Sequence, residues 1–247
     1  MKKKPEKKSA AGVHLGIDIA KDKFDAVLRT TAGVQHHEVF TNAAAAVLHL
    51  RALSRARSGM VAARAALRVQ VQETRERLIQ QSHRTLLLAH DRQIRQMERA
   101  LQAHLKAHPE LAAEIALLTS IPGIAMISAT AIRSELATLH GAGVRQTVAY
   151  AGLNPRQWQS GKSVQGRSRL SKTGNARLRH TLYLPALTGW RHQPLLRAFA
   201  ARLQAKGKKK MEIVGALMHK LLAHCCGVLR TRQPFDPHSL APQQTSA

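Results

Sequence analysis

The feature that most constrains the fold is a long stretch of helical periodicity between about residues 52 and 108. Residues of one face recur at helical spacing, first at Leu67, Val71, Thr74 and Leu78, then at Leu87, Ile94, Met97, Leu101 and Leu105. Arg, Gln and Glu occupy the other face. The pattern predicts two long helices that form either an antiparallel hairpin or a coiled coil between subunits. Aromatic residues make up only 3% of the chain, so aliphatic side chains must fill the core, which favours a mainly α fold.

The residues before this helical region predict a short β-meander. Residues 13–19, 24–29 and 34–40 read as three strands, with Thr-Ala-Gly at 31–33 as the second turn. An Ala-rich helix is predicted over 42–50. Three strands and one helix bury too little apolar surface to be stable alone.

The net charge indicates a polyanionic partner. The chain has 39 Lys+Arg against 14 Asp+Glu, a formal charge of +25. Nucleic acid is the first candidate and a membrane surface the rival. No apolar run approaches about 18 residues, so no spanning helix is expected. Residues 1–11 read as a basic disordered tail rather than a secretory signal, and 238–247 as a disordered polar tail. The adjacent Cys225 and Cys226 are poorly placed for a disulfide, so a cytoplasmic, nucleoid-associated location is expected.

The positive charge is concentrated in one acid-free segment. Residues 136–211 contain no Asp or Glu, but they contain fifteen basic residues, namely Arg145, Arg156, Lys162, Arg167, Arg169, Lys172, Arg177, Arg179, Arg191, Arg197, Arg202, Lys206, Lys208, Lys209 and Lys210. A solvated face normally mixes both signs. We therefore expect this segment to contact a phosphate backbone.

A Pro-Gly turn precedes that segment. Helices are predicted over 111–119 and 126–139, joined by the turn that contains Pro122 and Gly123. This arrangement is similar to a helix-hairpin-helix, in which N–H groups at the start of the second helix hold a phosphate. Ala125 stands where the second glycine is usual, so an ordinary helical turn is the alternative.

The Gly-, Ser- and Asn-rich segment 151–175 is predicted to be irregular, with a basic helix following over 176–187. A serine hydroxyl in such a cationic loop is suited to attack a phosphodiester. By composition alone, simple phosphate binding is the favoured reading.

Residues 116–132, 149–186, 207–222 and 233–237 resemble the C-terminal domain of insertion-sequence transposases that pair a RuvC-like DEDD domain with a serine transposase domain. This family includes the bridge-RNA-guided recombinases and is related to the pilin-gene invertases. The resemblance implies that Ser160, in the Trp158-Gln159-Ser160-Gly161 element, is the nucleophile. Arg156, Trp158, Lys162, Arg167, Arg169, Lys172, Arg177, Arg179 and Gly123 are the expected nucleic-acid contacts. A structured guide RNA and a homodimer formed through the helical arm are also implied.

GIDIAKDKFDAVL at 16–28 resembles the first strands of the RuvC-like domain, and Asp18 corresponds to its first Mg²⁺ ligand. The family needs three further carboxylates, but no acidic residue occurs between Glu38 and Glu73. Asp22, Asp25 and Glu38 fit solvent-facing or strand-edge roles better. We infer an internal deletion. The expected organisation is therefore a truncated RNase H-like remnant (12–50), a helical arm (51–109) and a serine transposase domain (110–237).

Other readings stay open. The chain could be a catalytically defective relic that binds DNA or RNA or inhibits intact transposase, or a basic architectural protein. His219, His224, Cys225 and Cys226 lie on one predicted helix and could hold zinc, but their apolar neighbours favour a packed core helix.

Overall fold

A computed structural model describes residues 14–19, 23–29, 35–41, 43–137, 142–160 and 164–237, with side chains over 44–137, 142–156 and 170–237. The chain divides into two compact units, residues 1–49 and 50–247. The predicted tails at 1–11 and 238–247 and the turn at 31–33 lie outside the described residues.

The first unit contains the predicted meander. Strands β1 (His14–Ile19), β2 (Lys23–Arg29) and β3 (Gln35–Thr41) form an antiparallel sheet in the order β1-β2-β3. Each strand begins and ends within one residue of the predicted bounds. A relationship of this sheet to the RNase H fold stays a prediction.

The arm consists of α1 (Ala43–Glu73) and α2 (Arg77–Ala107). The helix predicted to end at residue 50 therefore continues to Glu73, because no Gly at a positive φ or Pro interrupts it. Arg57 pairs with Glu98 at 2.7 Å and Arg64 with Asp91 at 2.6 Å. Since the partner number falls as the α1 number rises, the two helices run antiparallel, as one of the two predicted arrangements requires.

Many of the less exposed residues of the arm follow a heptad-like spacing of alternating threes and fours. On α1 they are Leu53, Arg57, Met60, Arg64, Leu67, Val71 and Thr74, and on α2 Gln80, His83, Leu87, His90, Ile94, Met97 and Leu101. Ile94 and Leu101 are buried, whereas Leu78, Ile79, Leu86 and Leu88 near the outer end are exposed. The arm is therefore well packed at its inner end and presents apolar side chains to solvent at its outer end.

The remaining helices form the core of the second unit. They are α3 (Pro109–Thr119), α4 (Met126–Glu135), α5 (Val144–Tyr150), α6 (Ala176–His192), α7 (Pro194–Ala205) and α8 (Lys210–Thr231). Helix α8 packs against α3, α5, α6 and α7, and its Leu217 and Leu221 are fully buried. The mainly α prediction is confirmed.

Helix α8 is long and apolar enough to cross a membrane by composition alone, although the sequence showed no long uninterrupted apolar run. More than half of it, 56%, is buried inside the protein. That degree of burial is typical of a core helix.

Strands β4 (Pro155–Ser160) and β5 (Val164–Leu170) form a second sheet between α5 and α6. The prediction that residues 151–175 are irregular is therefore wrong. Neither strand carries the apolar alternation by which a half-buried strand is recognised. The two strands pair with each other over Pro155–Ser160 and Val164–Leu170, and this pairing is what the sequence pattern did not reveal.

Candidate nucleic-acid interface

The predicted nucleophile lies in the β4–β5 hairpin. Ser160 is the last residue of β4 and pairs in register with Val164, so residues 161–163 make the connection. Five residues separate Ser160 from Pro155, and a strand rises about 3.3 Å per residue. The backbone of Ser160 therefore lies at the far end of the hairpin, roughly 17 Å along β4 from its base.

The hairpin joins the helical core through a segment that we call the neck, residues 150–154 and 171–175. Backbone hydrogen bonds continue between the two chain segments beyond the strands. Ser171 N–H donates to the Asn154 carbonyl at 2.9 Å, Lys172 N–H to Gly152 at 3.1 Å, and Asn175 N–H to Tyr150 at 2.7 Å. These bonds satisfy backbone groups that would otherwise need water, and they fix the position of the hairpin base.

Two glycines make the close approach in the neck possible. Gly152 has φ +65° and Gly174 φ +124°, values that side-chain-bearing residues rarely adopt. A Cβ on Gly152 would lie 2.4 Å from the Thr173 carbonyl oxygen, and one on Gly174 would lie 2.2 Å from that of Tyr150. Any other residue at either position would push the two segments apart.

Glu135, at the end of α4, connects the neck to the arm. Its carboxylate accepts two hydrogen bonds from Arg55 at 2.7 and 2.9 Å and one from the Asn175 side chain at 2.8 Å. Arg51 donates a weaker one at 3.5 Å. We call these four residues the Glu135 cluster. It joins groups 40 to 84 residues apart in the sequence, and the sequence analysis did not identify it.

The Glu135 carboxylate is ionised within the protein. Its side chain is only 4% exposed, and burial alone would raise its pKa. Hydrogen bonds from Arg55 and Asn175 and the positive charges of Arg55 and Arg51 outweigh burial and hold the pKa below its usual value. The one sequence signal for this role is that Glu135 is the last acidic residue before the acid-free segment.

Asn175 carries the neck into α6. Its side-chain oxygen accepts from the Leu178 N–H at 3.0 Å, which caps the helix, while its amide nitrogen donates to Glu135 and to the Tyr150 hydroxyl at 3.1 Å. Arg179 donates to the Ala151 carbonyl at 2.9 Å. Arg179, a predicted nucleic-acid contact, thus also binds the neck from α6.

The other predicted contacts are distributed along the hairpin and the start of α6. Arg156 is exposed and pairs in register with Arg169, and Lys172 and Arg177 are exposed at the neck and in the first turn of α6. Trp158 and Arg167 lie in the strands, where only the backbone is described, and Lys162 lies outside the described residues. The structure therefore places the backbone of the predicted cations that it describes on one hairpin, its neck and the helix that follows.

Gly123 lies apart from this group, in the turn between α3 and α4. It has φ +98°, and a Cβ there would meet the Pro185 carbonyl oxygen of α6 at 2.9 Å. Packing against α6 is therefore sufficient reason for a glycine. Phosphate binding at this turn stays a prediction.

For the meander the structure describes the backbone of the three strands, and Asp22 lies outside the described residues. Asp18 pairs in register with Asp25, whereas Glu38 pairs with Ala26. Asp18 and Asp25 are therefore neighbours on adjacent strands, whereas the family resemblance implies four carboxylates around the metal. We assign no catalytic step to a metal ion.

The possible zinc ligands of α8 lie in packed surroundings. Burial lowers the pKa of His224 to about 4, with a smaller effect of Lys220, and burial raises the pKa of Cys225. His224 stacks on Phe235 with ring centroids 5.0 Å apart. Among the residues that the structure describes, no group of three His, Cys, Asp or Glu side chains could hold a metal ion.

Comparison with known proteins places the hairpin in a recognised domain. Residues 115–201 match the family described as Transposase IS116/IS110/IS902 family. The chain is 33% identical over 149 residues to the pilin gene-inverting protein of Moraxella lacunata and 33% identical over 147 residues to that of Moraxella bovis. It is also 29% identical over 148 residues to an insertion element IS110 protein of 43.6 kDa from Streptomyces coelicolor.

The matched region covers 58% of this chain and 45% of each Moraxella protein, and 35% of the Streptomyces protein. The chain therefore spans about half the length of the Moraxella relatives. The family match begins in α3 and ends in α7, so it includes Glu135, the neck and both strands of the hairpin. Residues 115–201 are thus similar to the IS116/IS110/IS902 transposase family over a region that contains the hairpin.

Proposed function

We propose that this chain binds DNA and that Ser160 cuts and rejoins strands during transposition or inversion. The observation that carries the proposal is that Ser160 lies at the end of a hairpin within the matched transposase domain. The neck fixes the base of that hairpin, and the surrounding segment has no acidic residue to repel phosphates.

The chemistry is a transesterification. The Ser160 oxygen attacks a backbone phosphorus, its proton passes to a base, and the bond to the 3′ oxygen breaks. The 3′ oxygen takes up a proton, leaving the 5′-phosphate on serine. Attack by another 3′-hydroxyl then releases serine and joins the strands, so no bond energy is lost to hydrolysis. Arg156, Lys172 and Arg177, which lie at the hairpin base and beyond it, would bind phosphates of the same strand away from the one under attack.

A suicide DNA substrate tests this step directly. A nicked duplex whose cut end diffuses away should trap the protein–DNA adduct, which migrates as a heavier band after denaturation. The Ser160→Ala variant should form no adduct and bind DNA as the parent does, while Ser168→Ala, a matched serine on β5, should retain the adduct. An adduct that persists in Ser160→Ala would overturn the assignment of the nucleophile.

The second candidate is a catalytically defective relic that binds DNA or RNA or inhibits intact transposase. The observation that favours it is the continuity of α1 from Ala43 to Glu73, with no acidic residue between Glu38 and Glu73 to complete a metal site. If Mg²⁺ participates, Asp18 would need ligands from another chain. Normal DNA binding without an adduct in the parent would favour this candidate.

We further propose that the protein dimerises through the end of the arm that carries Leu78, Ile79, Leu86 and Leu88, which we call the outer arm. Leu78 is 78% exposed, and Leu88, Leu86 and Ile79 are exposed on the same helix. A surface of this kind is typical of a protein–protein contact. A structured guide RNA and a nucleoid location are proposals that follow from the family resemblance. If a defined RNA stayed bound to the protein through purification in high salt, this would support the guide-RNA proposal.

A further inference from the structure

A cleft of about 410 Å³ lies between α1, α4 and α6, next to the point where the neck enters α6. Its lining includes Ser54, Ser58 and Gly59 from α1 and Arg177, His180 and Thr181 from α6. Glu135 and Arg55, which bind each other, form part of its wall. Sites for small ligands have volumes of roughly 300–1,000 Å³, so the cleft has room for about one nucleotide.

Gly59 has no structural need to be a glycine. It lies inside the 31-residue helix α1, its φ is not positive, and an added Cβ would meet nothing within 4 Å. Glycine inside a helix costs about 1 kcal/mol relative to alanine. The effect of Gly59 that the structure shows is to leave the cleft open.

The polar groups of the cleft are arranged from the floor to the mouth. Ser54 lines the cleft from α1 and is only 7% exposed. The hydroxyl groups of Ser58 and Thr181 already donate to carbonyls of their own helices. Arg177 and His180 are exposed on α6 at the mouth. The cleft thus combines a positively charged side chain at its mouth with a mostly buried serine deeper inside.

We propose that this cleft binds one nucleotide of a DNA strand, with the phosphate against Arg177 and His180 and the Ser54 hydroxyl bonded to the sugar or base. This inference rests on the proposed function, because it assumes that DNA follows the hairpin. Arg177 is two residues beyond Asn175, the last residue of the neck. Because Arg177 also lines the cleft, the cleft adjoins the hairpin base.

Two substitutions of one residue test the cleft. Gly59→Leu fills it, whereas Gly59→Ala adds only a Cβ, and both replace glycine with a good helix former, so both variants should be at least as stable as the parent. Binding of a fluorescent single-stranded DNA to the full chain is measured by anisotropy at several salt concentrations. Gly59→Leu should weaken binding about tenfold and reduce the salt slope by about 0.7, the value for one phosphate lost from a single strand. Gly59→Ala should match the parent.

A matched pair of cations on α6 supplies a second readout. Arg177→Gln should weaken binding more than Arg191→Gln, because Arg191 is also exposed on α6 but does not line the cleft. In the double variant with Gly59→Leu, Arg177→Gln should have little further effect. Additive losses would mean that Arg177 binds DNA outside the cleft, and they would overturn the proposal.

The remaining outcomes separate this inference from the proposed function. Equal DNA affinity and salt slope in Gly59→Leu and Gly59→Ala, with adduct formation intact, would overturn the cleft assignment alone. If Gly59→Leu weakened the binding of RNA of the same sequence, or of free dAMP, but not the binding of DNA, the cleft would be assigned to that other ligand and the proposal would be overturned. No DNA binding by the parent would overturn both.

Discussion

The neck and the outer arm are stabilised in different ways. The neck is specified by individual residues: two glycines at positive φ, three backbone hydrogen bonds and a buried carboxylate. The outer arm is specified by a repeating pattern, and Arg64–Asp91, the ion pair nearest to it, lies at the partly exposed surface. The difference suits the roles that we propose: the neck positions the hairpin through contacts within the chain, whereas the exposed apolar side chains of the outer arm contact a second subunit.

The largest expected effect comes from a substitution in the neck. Gly174→Ala should lower the free energy of unfolding by about 3 kcal/mol, because it combines a strained φ with a backbone overlap. Urea unfolding measures this loss. Gly227→Ala, whose Cβ meets nothing within 4 Å in α8, should stabilise by up to about 1 kcal/mol. Similar values for the two variants would show that the neck is not constrained as described.

A pair of carboxylates compares the two regions directly. Glu135→Gln should cost about 2 kcal/mol, less than a fully buried pair because Arg55 is 38% exposed and partly hydrated. Glu98→Gln, which breaks the Arg57 pair on the arm where Glu98 is 34% exposed, should cost only about 0.5 kcal/mol. Urea unfolding of both variants checks the ranking, and an equal cost would contradict the contrast between neck and arm.

The same carboxylate predicts a pH dependence. The pKa of Glu135 in the folded protein lies below the ordinary value of 4.5. Its stabilising effect is therefore complete above pH 4.5 and is lost as the pH falls through the folded-state pKa. The difference in unfolding free energy between the parent and Glu135→Gln should stay constant from pH 7 to 5 and shrink at lower pH. A difference that grows on acidification would refute the ionised, hydrogen-bonded carboxylate.

The smallest effect on folding is expected at the outer arm. Replacing both Leu78 and Leu88 by Lys should change the unfolding free energy of the monomer by less than about 0.5 kcal/mol, because both side chains are exposed. The same change should convert a dimer into a species of 27.1 kDa in sedimentation equilibrium. A parent that is already monomeric at micromolar concentration would rule out dimerisation through this surface.

The same contrast explains which parts of the fold could be predicted from the sequence. The arm and α8 follow from helical periodicity, which is a local property of the chain. The β4–β5 hairpin was missed because its strands are polar in sequence and lack the apolar alternation by which strands are recognised. The Glu135 cluster was missed because its arginines precede Glu135 by 80 and 84 residues. Gly152 and Gly174 were visible in the sequence, but only the geometry shows that each approaches a carbonyl of the opposite segment.

Native-state hydrogen exchange tests the rigidity of the neck most directly. The amides of Ser171, Lys172 and Asn175 donate across the neck. They should exchange only through global unfolding, with an opening free energy equal to that from urea, whereas amides near residues 74–80 should exchange through local opening. If the neck amides exchange as readily as those of the outer arm, the hairpin base is not held in place and the proposed positioning of Ser160 is wrong.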